Sequence, residues 1–418
     1  MSRKKCASAY TPPTNLSAFR DAERYWKSRT SPPDLSLAFD PAQVRWDAEA
    51  NADGRLRGVW RAGDGHEEVC WRVELYELAE NAMGQSRWKG KGREQEGDYA
   101  IVIPRIPGLV FFPRILPESL QRSLVTETLT HARSPNLTSL EPHYYLPAEG
   151  LWTRLLGGNG EEAVRRKVGG SKGAVRDGFA STVPSSSECS SAQGGEESKQ
   201  AVDSGERDVT VRDLVPKLRW SNVGWHYNWT TKLYEFERGH VPLPPLIYRC
   251  CRGLARQTPW HQVYGSTNTI EGRESGTATM AGQMRDWRSW KDGYEPDAGI
   301  VNFYQLKDSL TSHIDLSEVD AVSPLVSFSL GHSSIFLVGG TTRDVPPLPI
   351  HLRSGDGLIM SGEGRRVYHA LPRVLEGTLP DYLLASQPDP VEGAESWVPY
   401  GEYLQRGARI NVNVRSVF

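Results

Sequence analysis

The last third of the chain constrains the fold most. From Gly299 onward, short apolar runs alternate with glycine turns. GIVNFYQL reads as one strand, and PLVSFSLGHSSIFLVGG as two strands joined at Gly331-His332. IHLRSGDGLIMSG holds a strand, a Gly-Asp-Gly turn and a second strand; RRVYHALPRV and ARINVNVRSV complete the set. About eight short strands with glycine punctuation predict two packed sheets, a jelly roll.

Within this frame His313-Ile314-Asp315 is the pattern with chemical content. Strand side chains alternate with period two, so His313 and Asp315 share a face. His369, in RRVYHALPRV, is available as a third ligand. Two histidines and one carboxylate form the facial triad of non-haem Fe(II) sites, with open positions opposite the protein. The triplet alone is common, and a single histidine is more often a surface or satisfied core residue. Metal residues here would sit at strand ends, near the mouth of the jelly roll.

The final strand adds to the metal reading. Ile410, Val412 and Val414 fall on one face; Arg409, Asn411, Asn413 and Arg415 fall on the other. An amphipathic strand facing water is the bland alternative. Two arginines about 20 Å apart along an extended strand suit the two ends of a short diacid, because guanidinium forks match carboxylates.

Elsewhere the chain is less specific. Leu16 to Arg29 has helical spacing and stops at Pro32-Pro33. Tyr99 to Phe112 reads as two short strands, Pro117 to Ala132 as a helix, and the stretch from Pro242 to Gln257 turns helical. Residues 157–208 are rich in Gly, Ser and charge and are expected to be a disordered insertion. LRWSNVGWHYNWTTKLYEF, from Leu218, crowds aromatic side chains into one segment: a buried hairpin or a stacking surface for a flat ligand. His226 fits either. His332 and His351 read as structural or exposed, and Asp356 as a turn residue.

Formal net charge is −2, so a nucleic-acid partner must meet a local basic surface. Candidates are the Gly84 to Arg93 loop, Arg249 with Arg252 and Arg256, and Arg285 with Arg288 and Lys291. The five cysteines show no paired spacing, which points to a reducing compartment. No apolar run approaches the ~20 residues of a membrane span. Arg3, Lys4 and Lys5 make a poor import signal because Asp21 and Glu23 follow soon after.

The run from Pro296 to Val374, with RINVNVR at the end, closely resembles the AlkB family of Fe(II)- and 2-oxoglutarate-dependent dioxygenases. The shared order is His-x-Asp, a gap of 53 residues, His, then Arg-x-Asn-x-x-x-Arg. LRWSNVGWHYNW resembles the family's nucleotide-recognition lid. The Phe19-Arg20 helix and IPGLVFFPRILP resemble the eukaryotic branch nearest the bacterial enzyme, the first-type homologues.

The resemblance implies an α+β fold: a double-stranded β-helix (jelly roll) core with N-terminal helices and an aromatic lid. The implied division is 1–98, an N-terminal extension with one helix; 99–156, strands and helix supporting the core; 157–208, the insertion; and 214–418, lid and catalytic core. It implies Fe(II), 2-oxoglutarate and O2 as cofactor and co-substrates. His313, Asp315 and His369 are the implied iron ligands and catalytic residues. Arg409 would meet the distal carboxylate of 2-oxoglutarate, with Arg415 nearer the metal and Asn302, Tyr304 and Asn411 lining the co-substrate. Trp220, Trp225 and Tyr227 are the implied stacking residues. Where the bacterial enzyme has His-x-Asp-x-Asp-Glu, with its second Asp near the target base, this chain has Ser317 and keeps Glu318.

The implied activity is oxidative removal of N-methyl groups from bases in DNA or tRNA, such as 1-methyladenine or N6-methyladenine, releasing formaldehyde and succinate. A methylated protein such as a histone is the rival substrate, and a non-catalytic cupin-like binding protein the rival class. The expected partner is methylated nucleic acid, with no membrane and a monomeric chain. Nucleus, cytoplasm and mitochondrion stay open as compartments.

Overall fold

Helix α1 (Ala18–Lys27) forms where the sequence repeats buried groups at Phe19, Glu23 and Trp26, the i, i+4, i+7 stripe of an amphipathic helix. In the computed structural model, residues 17–76, 99–167, 209–228, 231–264, 287–315, 319–388 and 396–418 are described. Strands β1 (Arg45–Trp46), β2 (Leu56–Arg61) and β3 (Glu67–Glu74) follow, then β4 (Tyr99–Val102) and β5 (Leu109–Phe112). Three helices come next: α2 (Glu118–Thr130), α3 (Leu151–Leu156) and α4 (Val211–Leu214). Strand β6 (Trp220–Gly224) leads to the hairpin β7 (Tyr227–Asn228) and β8 (Leu233–Tyr234). Helices α5 (Pro245–Gln257), α6 (Trp260–Tyr264) and α7 (Trp290–Gly293) precede the C-terminal strands.

These strands are β9 (Ala298–Tyr304), β10 (Leu310–His313), β11 (Leu325–Gly331), β12 (Ser334–Val338), β13 (Leu348–Leu352), β14 (Gly357–Met360) and β15 (His369–Val374). Helix α8 (Val398–Gln405) and β16 (Arg409–Arg415) close the chain. Among the described residues these strands form two antiparallel sheets besides the β7–β8 hairpin. The major sheet has the order β1-β2-β3-β4-β5-β14-β11-β16-β9-β6, and the minor sheet β10-β15-β12-β13. Successive strands swap sheets at Gly331, whose φ is +86°. A side chain there would be strained by backbone conformation and would sit 2.7 Å from the Ala408 carbonyl.

The two sheets face each other across a core that includes Leu358, Phe111, Val338 and Ile350. The outer face of the major sheet carries Val301, Phe303, Ile410, Val412 and Val414, covered by helices including α2, α5 and α8. On the other side α1 packs Phe19 and Trp26 against Ile335, Leu337 and Ala370 of the minor sheet. Truncating a fully buried phenylalanine such as Phe19 costs about 3–5 kcal/mol, so α1 is an integral layer. The jelly roll and the N-terminal helix predicted from sequence are both present.

Two expectations change. The N-terminal extension holds more than one helix, because β1–β3 extend the major sheet. Their signal was legible: Val59-Trp60 and Val69-Cys70-Trp71 flank the turn residues Gly63-Asp64-Gly65, a hairpin pattern. The insertion expected at 157–208 starts later. Residues 157–167 are placed, with Ala163 bridged to Thr210 and Val164 buried; residues 168–208 lie outside the described residues. Arg409 and Arg415 of β16 are buried along with its apolar residues, which goes against the water-facing alternative. The Gly84 to Arg93 loop, Trp229, Arg285, Ser317 and Glu318 also lie outside the described residues.

Candidate metal and co-substrate site

Strands β10 and β15 pair so that His313 stands directly opposite His369, with ring centroids 4.3 Å apart. The chain beyond β10 brings in Asp315, whose Oδ1 is 3.6 Å from His313 Nε2. One ligand atom from each of His313, Asp315 and His369 falls within 4.8 Å of the other two. Each imidazole is also oriented. His313 Nδ1 lies 2.9 Å from the Thr311 carbonyl and His369 Nδ1 lies 3.2 Å from the Val367 carbonyl. A carbonyl only accepts, so each Nδ1 carries the proton and each Nε2 keeps its lone pair for a metal.

Charge states match this use. Burial, then the neighbouring His313, push the His369 imidazole down to about 4, leaving it neutral near pH 7. Burial alone would raise the Asp315 carboxyl. The His369 and His313 rings and the Arg415 and Arg365 guanidinium groups outweigh it and hold the carboxyl below its usual range. Neutral nitrogen donors with an ionised carboxylate are the forms that ligate a divalent iron.

A polar row crosses the major sheet beneath these residues. Trp220, Asn302, Asn411 and Ser329 are successive cross-strand partners on β6, β9, β16 and β11. Asn411 donates to Ser327 Oγ and to the Phe328 carbonyl, at 2.7 and 3.1 Å. One step along β16, Arg409 is opposite Tyr304 and lies 5.5 Å from the centroid of its ring. Arg409 Nη2 donates to Ser329 Oγ at 2.8 Å. Its Nε and Nη1 are buried without a partner among the described residues, as is Asn302 Oδ1. Burial lowers the guanidinium to about 10, so it stays a cation at neutral pH. A buried cation with two unused donors is costly without an anion; a carboxylate is the anion its fork fits. Arg415, six residues on, belongs to the metal end: Asp315 and Tyr234 act on its charge.

The 2OG-Fe(II) oxygenase superfamily model matches residues 177–415, more than half of the chain. "Nucleic acid dioxygenase ALKBH1" of Mus musculus is 28% identical over 420 residues, covering 96% of this chain and 84% of that protein. "tRNA demethylase abh1" of Schizosaccharomyces pombe is 29% identical over 318 residues, covering 75% and 80%. "Alpha-ketoglutarate-dependent dioxygenase AlkB" of Escherichia coli is 37% identical over 172 residues, covering 41% and 69%. This chain belongs to the AlkB family of 2OG-Fe(II) oxygenases. As an AlkB-family enzyme it uses Fe(II), 2-oxoglutarate and O2, and the donor set and the unpaired Arg409 fork fit the first two.

The aromatic residues expected in the AlkB lid divide three ways. Trp220 is a buried strand residue of β6, in the same row as Asn302. Trp225 packs edge-on to Phe236 and Phe418 and against His240. Tyr227 is on the hairpin, opposite Tyr234, with ring centroids 5.4 Å apart. Tyr234, one of the aromatics crowded into this segment, has a second role: its hydroxyl accepts from Arg415 Nε at 3.0 Å. His226 is a buried ring. Only the bare period of the hairpin in WHYNWTTKLYEF marked Tyr234, and its partner is 181 residues away.

Other expectations resolve into structure. Asp356 caps a turn, accepting from the backbone N–H groups of Arg114 and Arg353, both at 2.7 Å. His332 is buried and His351 partly buried. Of the basic clusters, Arg252 pairs with Glu295 at 2.6 Å and Arg256 approaches Asp292 at 4.0 Å, which offsets their charge. Arg249 is exposed. Arg288 stacks over Trp287 and Lys291 over Tyr76. Among the described residues no helix is long and apolar enough to cross a membrane.

Proposed function

We propose that this enzyme oxidatively demethylates N-methylated bases in nucleic acid. His313, Asp315 and His369 hold Fe(II). Arg409 grips the far carboxylate of 2-oxoglutarate, with Asn302, Tyr304 and Asn411 along its length and Arg415 toward the metal. When bound, Fe(II) would activate O2, one oxygen atom going to 2-oxoglutarate as it becomes succinate and CO2 and the other to the N-methyl carbon, whose hydroxymethyl product leaves as formaldehyde. The protein's own residues present the methyl group and exclude water. Tyr227 and Tyr234 pack together on the hairpin whose Tyr234 bonds Arg415, and aromatic faces of this kind receive an unstacked base.

The buried Arg409 fork with two unused donors, on the strand whose other end meets the iron triad, carries the co-substrate assignment. The substrate class rests on the names of the relatives: a nucleic acid dioxygenase and a tRNA demethylase. Formaldehyde release over a panel of methylated DNA and tRNA oligonucleotides tests the whole reading. Wild type should turn over at least one member. Asp315→Ala should remove activity, and Arg409→Ala should raise the 2-oxoglutarate KM by about 10-fold or more, as expected for loss of charged hydrogen bonds. Equal rates for all three proteins would sink the assignment.

A further inference from the structure

We infer that Glu23, on the N-terminal helix, is a positioning residue for the iron site, acting through Ser312 on the strand that carries His313. This rests on the metal assignment above and deepens it. Among the described residues, strand β10 is the edge of the minor sheet, with β15 as its one neighbour. Even that pairing is irregular, because the register shifts between Leu310 and His313. An edge strand leaves backbone groups unpaired, and here a metal ligand sits at its end.

Side chains replace the missing strand. Glu23 Oε1 accepts the Ser312 backbone N–H at 2.6 Å, and Oε2 accepts the Ser312 hydroxyl at 3.1 Å. Arg20 Nη1 donates to the same Oε2 at 3.1 Å. From the other side, Arg343 Nη2 donates to the Ser312 carbonyl at 3.3 Å. Residue 312 is therefore gripped at both its N–H and its C=O, one residue before His313. The grip also reaches the second histidine strand, since the Arg343 guanidinium lies 4.7 Å from the ring centroid of Tyr368, the neighbour of His369.

Glu23 occupies the middle of the buried stripe of α1, between Phe19 and Trp26. A carboxylate there is unfavourable unless every lone pair is used. A helix needing only to pack would carry an apolar residue at that position. The carboxylate accepts from both groups of Ser312; an amide could keep both contacts by donating its NH2 to the Ser312 hydroxyl, so an apolar side chain is the change that removes them. The α1 helix thereby sets where the His313 imidazole stands relative to Asp315 and His369.

The test is anaerobic Co(II) titration of the full chain, read by ligand-field absorption, on wild type, Glu23→Leu, Ser312→Ala and Arg20→Gln. Losing a direct partner of a metal ligand typically weakens metal binding by roughly 10–100-fold. Glu23 acts one residue from His313, so Glu23→Leu should lose about tenfold, at the low end of that range, and show an altered spectrum, with saturating Co(II) restoring occupancy. Ser312→Ala keeps the backbone bond and should lose about threefold. Arg20→Gln leaves both Ser312 bonds and should match wild type. Co(II) affinity and spectrum of folded Glu23→Leu equal to wild type would overturn the inference. If Glu23→Leu fails to fold, an unchanged Ser312→Ala would overturn it. Wild type that binds no Co(II) would sink the metal assignment itself, a separate result.

Discussion

At the residue scale, the site depends on buried polar groups whose partners are not all protein. Arg409 and Asp356 are both buried, with opposite fates. Asp356 has two backbone donors and shapes a turn, although burial still raises its carboxyl to about 7. Arg409 keeps two donors unused and is the one suited to an exogenous anion. A pH prediction follows from His351, which burial, then Arg353, push down to about 4. Its unfolded value is near 6.5, so the unfolded chain binds the extra proton first on acidification. Its stabilising contribution is present above pH 6.5 and is lost as pH falls toward 4. Asp356 works the other way, so a difference is needed. Subtracting the stability profile of His351→Gln from that of wild type should leave a curve rising between about pH 4 and 6.5. A flat difference, from urea melts of the metal-free protein, would contradict it.

At the element scale, the Tyr234 phenol ties the hairpin β7–β8 to β16. Tyr234 and Phe236 stack with centroids 5.9 Å apart, and Tyr234 also bonds Arg415. Tyr234→Phe keeps the ring packing and removes only the acceptor for a buried guanidinium. A hydrogen bond to a charged group contributes about 1.5 kcal/mol or more, so kcat/KM should fall roughly tenfold. Circular dichroism and melting temperature should stay close to wild type. A Tyr234→Phe enzyme with wild-type kcat/KM would show that the hairpin is not coupled to the site.

At the scale of the whole molecule, a formal net charge of −2 leaves substrate capture to local cations. Arg365, Arg409 and Arg415 are buried within the fold, while several surface arginines are neutralised by acidic neighbours. Binding of a single-stranded methylated oligonucleotide should therefore weaken moderately with salt, by about tenfold between 50 and 200 mM, as expected for a few phosphate contacts. Affinity independent of salt would argue for a substrate without a phosphate backbone.

The sequence by itself determined the strand periodicity of the C-terminal third, the His313, Asp315 and His369 set and the polar face of β16. These are local patterns: period two places residues on faces, and residue type sets donor chemistry. It also carried the hairpin of β2 and β3, whose alternation went unread. Only tertiary structure decided that β10 is an edge strand held by Glu23, that Tyr234 meets Arg415 and that Trp220 is a buried strand residue. Glu23 and Ser312 are 289 residues apart, and no local period encodes such a pairing. What joins them is the closure of α1 over the minor sheet, driven by burial of Phe19 and Trp26.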